Sequence, residues 1–150
     1  MSEKLNTKRA IVAGLAGTAV MTALMLMAPM MGMPPMNIGK MLGSMMGGIT
    51  MLGWVAHFMF GTVLAVIYAA LFASRLPGSP ALRGMLFGLA PWLFAQVAVM
   101  PMMGAGFFSG SAVVASGSLM GHLVFGAVVG AAYGRGHSSR AIGKTAHAHR

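Results

Sequence analysis

Four stretches of this chain are long and apolar enough to cross a bilayer, and little sequence is left between them. They run roughly over residues 10–30, 49–73, 85–103 and 112–133. A hydrocarbon core of about 30 Å takes about 20 helical residues. The apolar residues are continuous rather than alternating, which points to helices and away from a membrane barrel. In lipid every backbone N–H and C=O must find its partner within the structure, and a helix does this segment by segment. The expected fold is all-α: an integral membrane four-helix bundle.

Composition leaves few alternatives. Hydrophobic residues make up 57% of the chain and charged residues only 7%, where a soluble domain carries about 25%. Ten Lys and Arg face a single acid, Glu3, for a formal charge of +9. Such a balance can signal nucleic acid, but here the charges form no basic patch with interleaved aromatics, so no nucleic-acid partner is expected. They sit at the ends of the apolar runs. Lys4, Lys8 and Arg9 precede the first run, Arg75 and Arg83 lie between the second and third, and Arg135, Arg140, Lys144 and Arg150 follow the fourth. The opposite loops carry only Lys40. The positive-inside rule then places both termini in the cytoplasm and the chain in an inner membrane. The first run exceeds the h-region of a signal peptide and lacks a clear A-x-A site, so it is expected to be retained.

The runs repeat. His57-x-x-Phe60-Gly61-x-Val63 is followed by Tyr68, and His122-x-x-Phe125-Gly126-x-Val128 by Tyr133, 65 residues later. Arg9, Gly14-Leu15-Ala16 and Pro29-Met30-Met31-Gly32 answer to Arg83, Gly88-Leu89-Ala90 and Pro101-Met102-Met103-Gly104. Two parallel two-helix repeats, about 9–73 and 83–134, are therefore expected within one transmembrane domain, 1–134. Residues 135–150 are expected to form a basic, mobile cytoplasmic tail. A short amphipathic helix over 36–46 is expected on the outer surface.

Small residues let helices approach closely in lipid, where hydrophobicity alone drives nothing together. Gly126, Gly130 and Gly134 share one helix face by their four-residue spacing, as do Gly53, His57 and Gly61; Gly84 and Gly88 open the third run. Each stripe should face a neighbouring helix. Pro91 should kink the third span, and Gln96 should face protein, since an unpaired amide in lipid is costly.

Cysteine is absent, which removes disulfides, thiolate nucleophiles and Cys-ligated metals. With Glu3 the sole acid, paired carboxylates and Ser-His-Asp triads are impossible, and carboxylate-coupled transport is excluded, so no enzymatic activity is expected. Two intramembrane histidines remain. His57 and His122 should lie at equal depth in the outer half, with Tyr68 and Tyr133 about 16 Å deeper at 1.5 Å per residue. An ionisable residue within a membrane is a functional candidate by default. The pair could ligate a b-type haem or a small metal site; the plainer reading is that each imidazole bonds across helices and fixes packing. Met30, Met31, Met102 and Met103 offer soft thioethers suited to copper, although methionine is also a pliable apolar filler. Eleven of the eighteen methionines fall between Met21 and Met51. His137, His147 and His149 in the tail give a weaker metal signal than the ordinary one of a basic segment beside an anionic leaflet.

Gly53-Trp54-x-x-His57-Phe58, Arg83-Gly84-x-x-Phe87-Gly88, Met100-Pro101-x-x-Gly104 and His122-Leu123-x-Phe125-Gly126 together resemble an uncharacterised bacterial family of small four-span inner-membrane proteins. The resemblance covers roughly 9–134 and implies the topology but no activity. The leading expectation is a non-catalytic accessory or scaffold subunit of a larger membrane assembly, or a homo-oligomer, with no cofactor and with the lipid bilayer as its main surroundings. The alternatives are a haem- or copper-binding protein using the paired histidines, and a small oligomeric channel or permease.

Overall fold

A computed structural model describes residues 5–147, with side chains described for 5–134. All regular structure among them is helical. Four helical segments are long and apolar enough to cross a membrane: Thr7–Met31, Thr50–Phe72, Pro80–Met102 and Ala112–Gly134. Their limits lie within about five residues of those read from hydropathy. The principal helices are α1 (Thr7–Met27), α2 (Ile38–Ser44), α3 (Thr50–Ile67), α4 (Pro80–Phe94), α5 (Met100–Met102) and α6 (Ala112–His147).

Local chemistry sets the helix ends. The Asn6 carboxamide accepts from Arg9 N at 3.0 Å and caps α1. Asn37 accepts from Lys40 N at 2.8 Å and caps α2. Ser79 caps α4, with Pro80 at its first position. Side-chain oxygens at these positions satisfy backbone donors that the first turn leaves open. A 3₁₀ turn over Ala28–Met31 ends the first span at Gly32, whose φ of +81° lies in the left-handed region, and Pro34-Pro35 prevent the helix from resuming.

Two departures from regular helix were not anticipated. Tyr68–Phe72 and Ala95–Val99 are π-helical turns that continue α3 and α4. Pro91 does not end α4; the helix runs through it and widens one turn later. The widened turn rotates Gln96 inward, where it is 1% exposed, as expected for an amide in an apolar setting. The fourth helix also continues past Gly134 to His147, so the boundary expected for the tail is no break in the backbone. The side chains of His137 and His147, and all of His149, lie outside the described residues.

Each of the stripe glycines lies close against a neighbouring helix. A Cβ on Gly126 would strike the Gly84 carbonyl, and one on Gly84 would strike the Gly126 carbonyl. Gly88 meets the His122 carbonyl, Gly130 meets the Pro80 carbonyl, and Gly134 meets the Pro80 ring. This run joins α4 to α6 backbone to backbone. Gly61 receives the Thr18 side chain of α1, whereas Gly53 does not face a span: it abuts the backbone of Gly39 and Gly43 in α2. The short helix is thus docked on the start of α3, with the Trp54 indole over Gly39. In a Trp92→Phe background Trp54 is the sole tryptophan, and Gly53→Val should then undock α2 and shift its emission to the red. Unchanged emission would mean that α2 stays in place.

The helices are arranged unequally. α1 packs against both α3 and α6, and α6 packs against α4. The duplication predicts that α3 should meet α4 as α1 meets α6. Instead α4 meets the second span chiefly through the π turn that follows α3. There Tyr68, Phe72, Phe87 and Tyr133 form an aromatic cluster, with ring centroids 5.2 to 6.4 Å apart. Two arginines brace the same end: Arg9 Nε donates to the Ala132 carbonyl at 2.9 Å and Arg83 Nη1 to the Ala73 carbonyl at 2.9 Å. Each ties the start of one span to the end of another.

Candidate functional site

Where α3 and α4 part, the fold leaves a crevice of about 550 Å³. α1 and α6 form its back wall through Thr18, Met21, Met25, Ser118, His122 and Phe125; α3 and α4 form its sides. Phe72 and Phe87 line it at the tyrosine end, and Met36, Ile38 and Met41 line it at the α2 end. The walls are overwhelmingly apolar, and the polar side chains among the lining residues are Thr18, His57, Gln96, Ser118 and His122. A largely apolar pocket with a few convergent polar groups is the usual form of a ligand site.

Both histidines singled out from the sequence line this crevice, and each is held by one ring nitrogen. His122 Nδ1 lies 2.8 Å from the Ser118 carbonyl, one turn back in α6. A carbonyl only accepts, so Nδ1 carries the hydrogen and, in the neutral ring, Nε2 keeps its lone pair. His57 Nε2 lies 3.1 Å from Thr22 Oγ1 of α1. The Thr22 hydroxyl donates its single hydrogen to the Thr18 carbonyl at 2.7 Å, so toward His57 it can only accept. The hydrogen therefore sits on Nε2, and Nδ1 of neutral His57 is bare. Neither bare nitrogen is sealed off: among the described residues the only buried side-chain N or O atom without a partner is Arg83 Nε.

The duplication did not copy these orienting bonds. The Gly53 carbonyl is the equivalent of the Ser118 carbonyl, yet His57 takes its partner from another helix, the Thr22 hydroxyl of α1. Trp54 and Phe58 steady it further, each edge-on at about 6 Å. Sequence reading missed Thr18 and Thr22; their i, i+4 spacing within an apolar run was the available signal.

A second network backs His122. Gln96 Nε2 donates to Ser118 Oγ at 3.2 Å, and Ser109 Oγ donates to Gln96 Oε1 at 2.8 Å. Ser109 and Phe108 both have positive φ, at 59° and 51°, a conformation non-glycine residues rarely adopt. The Ser109 hydrogen bond and the contact of Phe108 with Trp92, at 5.9 Å, hold the loop in that form. Trp92 in turn donates to the Ala115 carbonyl at 3.1 Å.

The methionines chosen from the sequence do not join the histidines. Met30, Met31 and Met102 are 75 to 85% exposed at the span ends, and none of the four, Met103 included, lines the crevice. The methionines that do are Met21, Met25, Met36, Met41 and Met100. Among the described residues no three His, Cys, Asp or Glu side chains gather at one place.

Fold and site together define an all-helical protein with four helices able to span a membrane and an apolar crevice presenting two oriented imidazoles. The chain belongs to a family of unknown function (DUF6789), whose model matches residues 5–143. No curated protein and no solved structure matches it.

Proposed function

We propose that this protein is a non-catalytic, membrane-embedded binding protein that holds a ligand in the crevice between α3 and α4. The observation that carries this reading is the pair of imidazoles lining one apolar cavity, each fixed in one tautomer by a protein acceptor and each with its second nitrogen left without a protein partner. Packing alone does not require both rings to keep an open lone pair. No carboxylate or thiol lies in the crevice lining to supply acid–base or nucleophilic chemistry, which favours holding over conversion. By the distribution of Lys and Arg the α2 end faces outward from a bacterial inner membrane, the tyrosine end faces the cytoplasm, and a ligand can enter from the lipid between α3 and α4.

The aromatic cluster across the tyrosine end weighs against an open channel through one chain. An accessory place in a larger assembly is compatible with a holder of this kind, since a protein without chemistry of its own would deliver its ligand to a partner.

Protein purified gently from its native membrane should carry one stoichiometric small molecule or ion, detectable by intact-mass and elemental analysis. The double variant His57→Ala/His122→Ala should lose it. A wild-type protein with nothing bound, or a variant retaining the same load, would overturn the reading.

A further inference from the structure

We infer that the crevice is a monovalent copper site, with Cu(I) bound by His57 Nδ1 and His122 Nε2 and by thioether sulfur from α1 or α5. This rests on the proposed reading of the crevice as a binding site and names its ligand. The donor set selects the ion. The site offers neutral imidazole nitrogens and thioethers, with neither carboxylate nor thiolate. A divalent ion would bring a double charge into an apolar cavity with no anionic ligand to offset its lost hydration. Cu(I) carries one charge, and thioethers are among the few side chains that prefer it.

The placement of the sulfurs is independent of that argument. Met21, Met25 and Met100 are each less than 9% exposed and line the same crevice. Met21 and Met25 bracket Thr22, which holds His57. Both also pack over Gly121, the neighbour of His122: a Cβ there would lie 3.4 Å from Met21 side-chain carbons and 3.8 Å from Met25 Cγ. Thioethers from one helix therefore line the crevice next to the residue that holds His57 and against the residue that adjoins His122. The hydrogen bonds complete the pattern, because metal-ligating histidines typically donate their second N–H to a fixed acceptor that sets tautomer and ring orientation. Here those acceptors are the Ser118 carbonyl and the Thr22 hydroxyl. Met36 and Met41 continue the sulfur lining to the α2 end, which gives the methionine-rich segment between the first two spans a purpose that filling space does not.

The test uses the full-length protein in detergent, with His137, His147 and His149 changed to Ala so that tail imidazoles contribute nothing. Cu(I) kept reduced by ascorbate is titrated against a chromogenic Cu(I) chelator, and the bound ion is examined by X-ray absorption. One Cu(I) per chain with mixed nitrogen and sulfur scattering is expected, with no comparable uptake of Zn(II). His57→Gln and His122→Gln should each weaken binding by at least about 100-fold, and Thr22→Val, which removes the acceptor behind His57 together with that hydroxyl's bond to the Thr18 carbonyl, by about 10- to 100-fold. Met21→Leu/Met25→Leu/Met100→Leu should remove the sulfur scattering. Circular dichroism matching the parent confirms that the variants fold. Cu(I) binding unchanged in His57→Gln/His122→Gln would assign the ion to the exposed methionines and overturn the proposal. A Soret band at one haem per chain, or another stoichiometric molecule lost with the histidines, would overturn copper while leaving the binding site standing. A crevice that takes up nothing would sink both.

Discussion

Gly126→Leu is expected to separate α4 from α6 and to lower the unfolding midpoint in detergent by about 6–12 °C, taking a cost of roughly 3 kcal/mol and about 2–4 °C per kcal/mol for a chain of this size. The reason is geometric. At this position the obstacle to a side chain is the Gly84 carbonyl, with the Met85 backbone nitrogen close behind. A side chain in the way can change rotamer; backbone cannot, so the helices must part. Separation would also undo the approach of Gly88 to the His122 carbonyl and of Gly130 to Pro80, because all of these contacts lie on one rigid face. Gly47→Leu is the control. Gly47 has open space around it and a φ of +71°, so leucine there costs only the left-handed strain of about 1–2 kcal/mol. Thermal melts followed by circular dichroism compare the two. Equal midpoints would refute close backbone packing as what joins the second hairpin.

The second large effect is expected at Gln96. Gln96→Leu should cost about 2 kcal/mol, because it leaves the Ser118 and Ser109 hydroxyls without the amide that pairs them in a low-dielectric interior. It should also act at a distance along the chain. Ser109 has a positive φ, and its bond to Gln96 ties that strained loop to the span behind it, alongside the ring contact of Phe108 with Trp92. Amide hydrogen exchange over residues 106–111 should rise several-fold in Gln96→Leu and stay unchanged in Gln96→Glu at a pH low enough to keep the new carboxyl protonated. Ser118→Ala added to Gln96→Leu should cost less than Ser118→Ala alone, since the two share a bond. Strict additivity would mean that the network carries no coupling.

The four spans and most of the α4–α6 contact could be read from the chain, because apolar length and four-residue glycine spacing are properties of single helices. Gly84, Gly88, Gly126, Gly130 and Gly134 stand out on those grounds, and they lie where α4 and α6 approach. What could not be read was anything that depends on how two helices are turned relative to each other. These helices are apolar on every side, so periodicity does not say which face meets which neighbour. Spacing alone therefore does not say which neighbour Gly53 meets; it faces α2. The gap between α3 and α4 ran against the duplication, which predicts equivalence, and the π turns that shape it have no clear signature in sequence. The histidines were found because an imidazole in an apolar run is conspicuous. Their hydrogen-bond partners were not, because threonine in such a run is ordinary. The methionines were chosen by the repeated Pro-Met-Met-Gly, a helix-end motif, while the ones that share the crevice with the histidines are scattered singly through α1, α2 and α5 and their flanks.

The contact between Gly84 and Gly126 has a consequence for how such a chain can change over generations. In an ordinary core, one residue can grow if its neighbour shrinks, so pairs drift together and leave a record of compensation. Here each partner is already reduced to backbone, and there is nothing on the far side to shrink. Each glycine is constrained singly rather than jointly. Across relatives that keep this hairpin, these positions should stay fixed while showing no correlated substitution, and a search for covarying residues would pass over the interface that holds the two helices together.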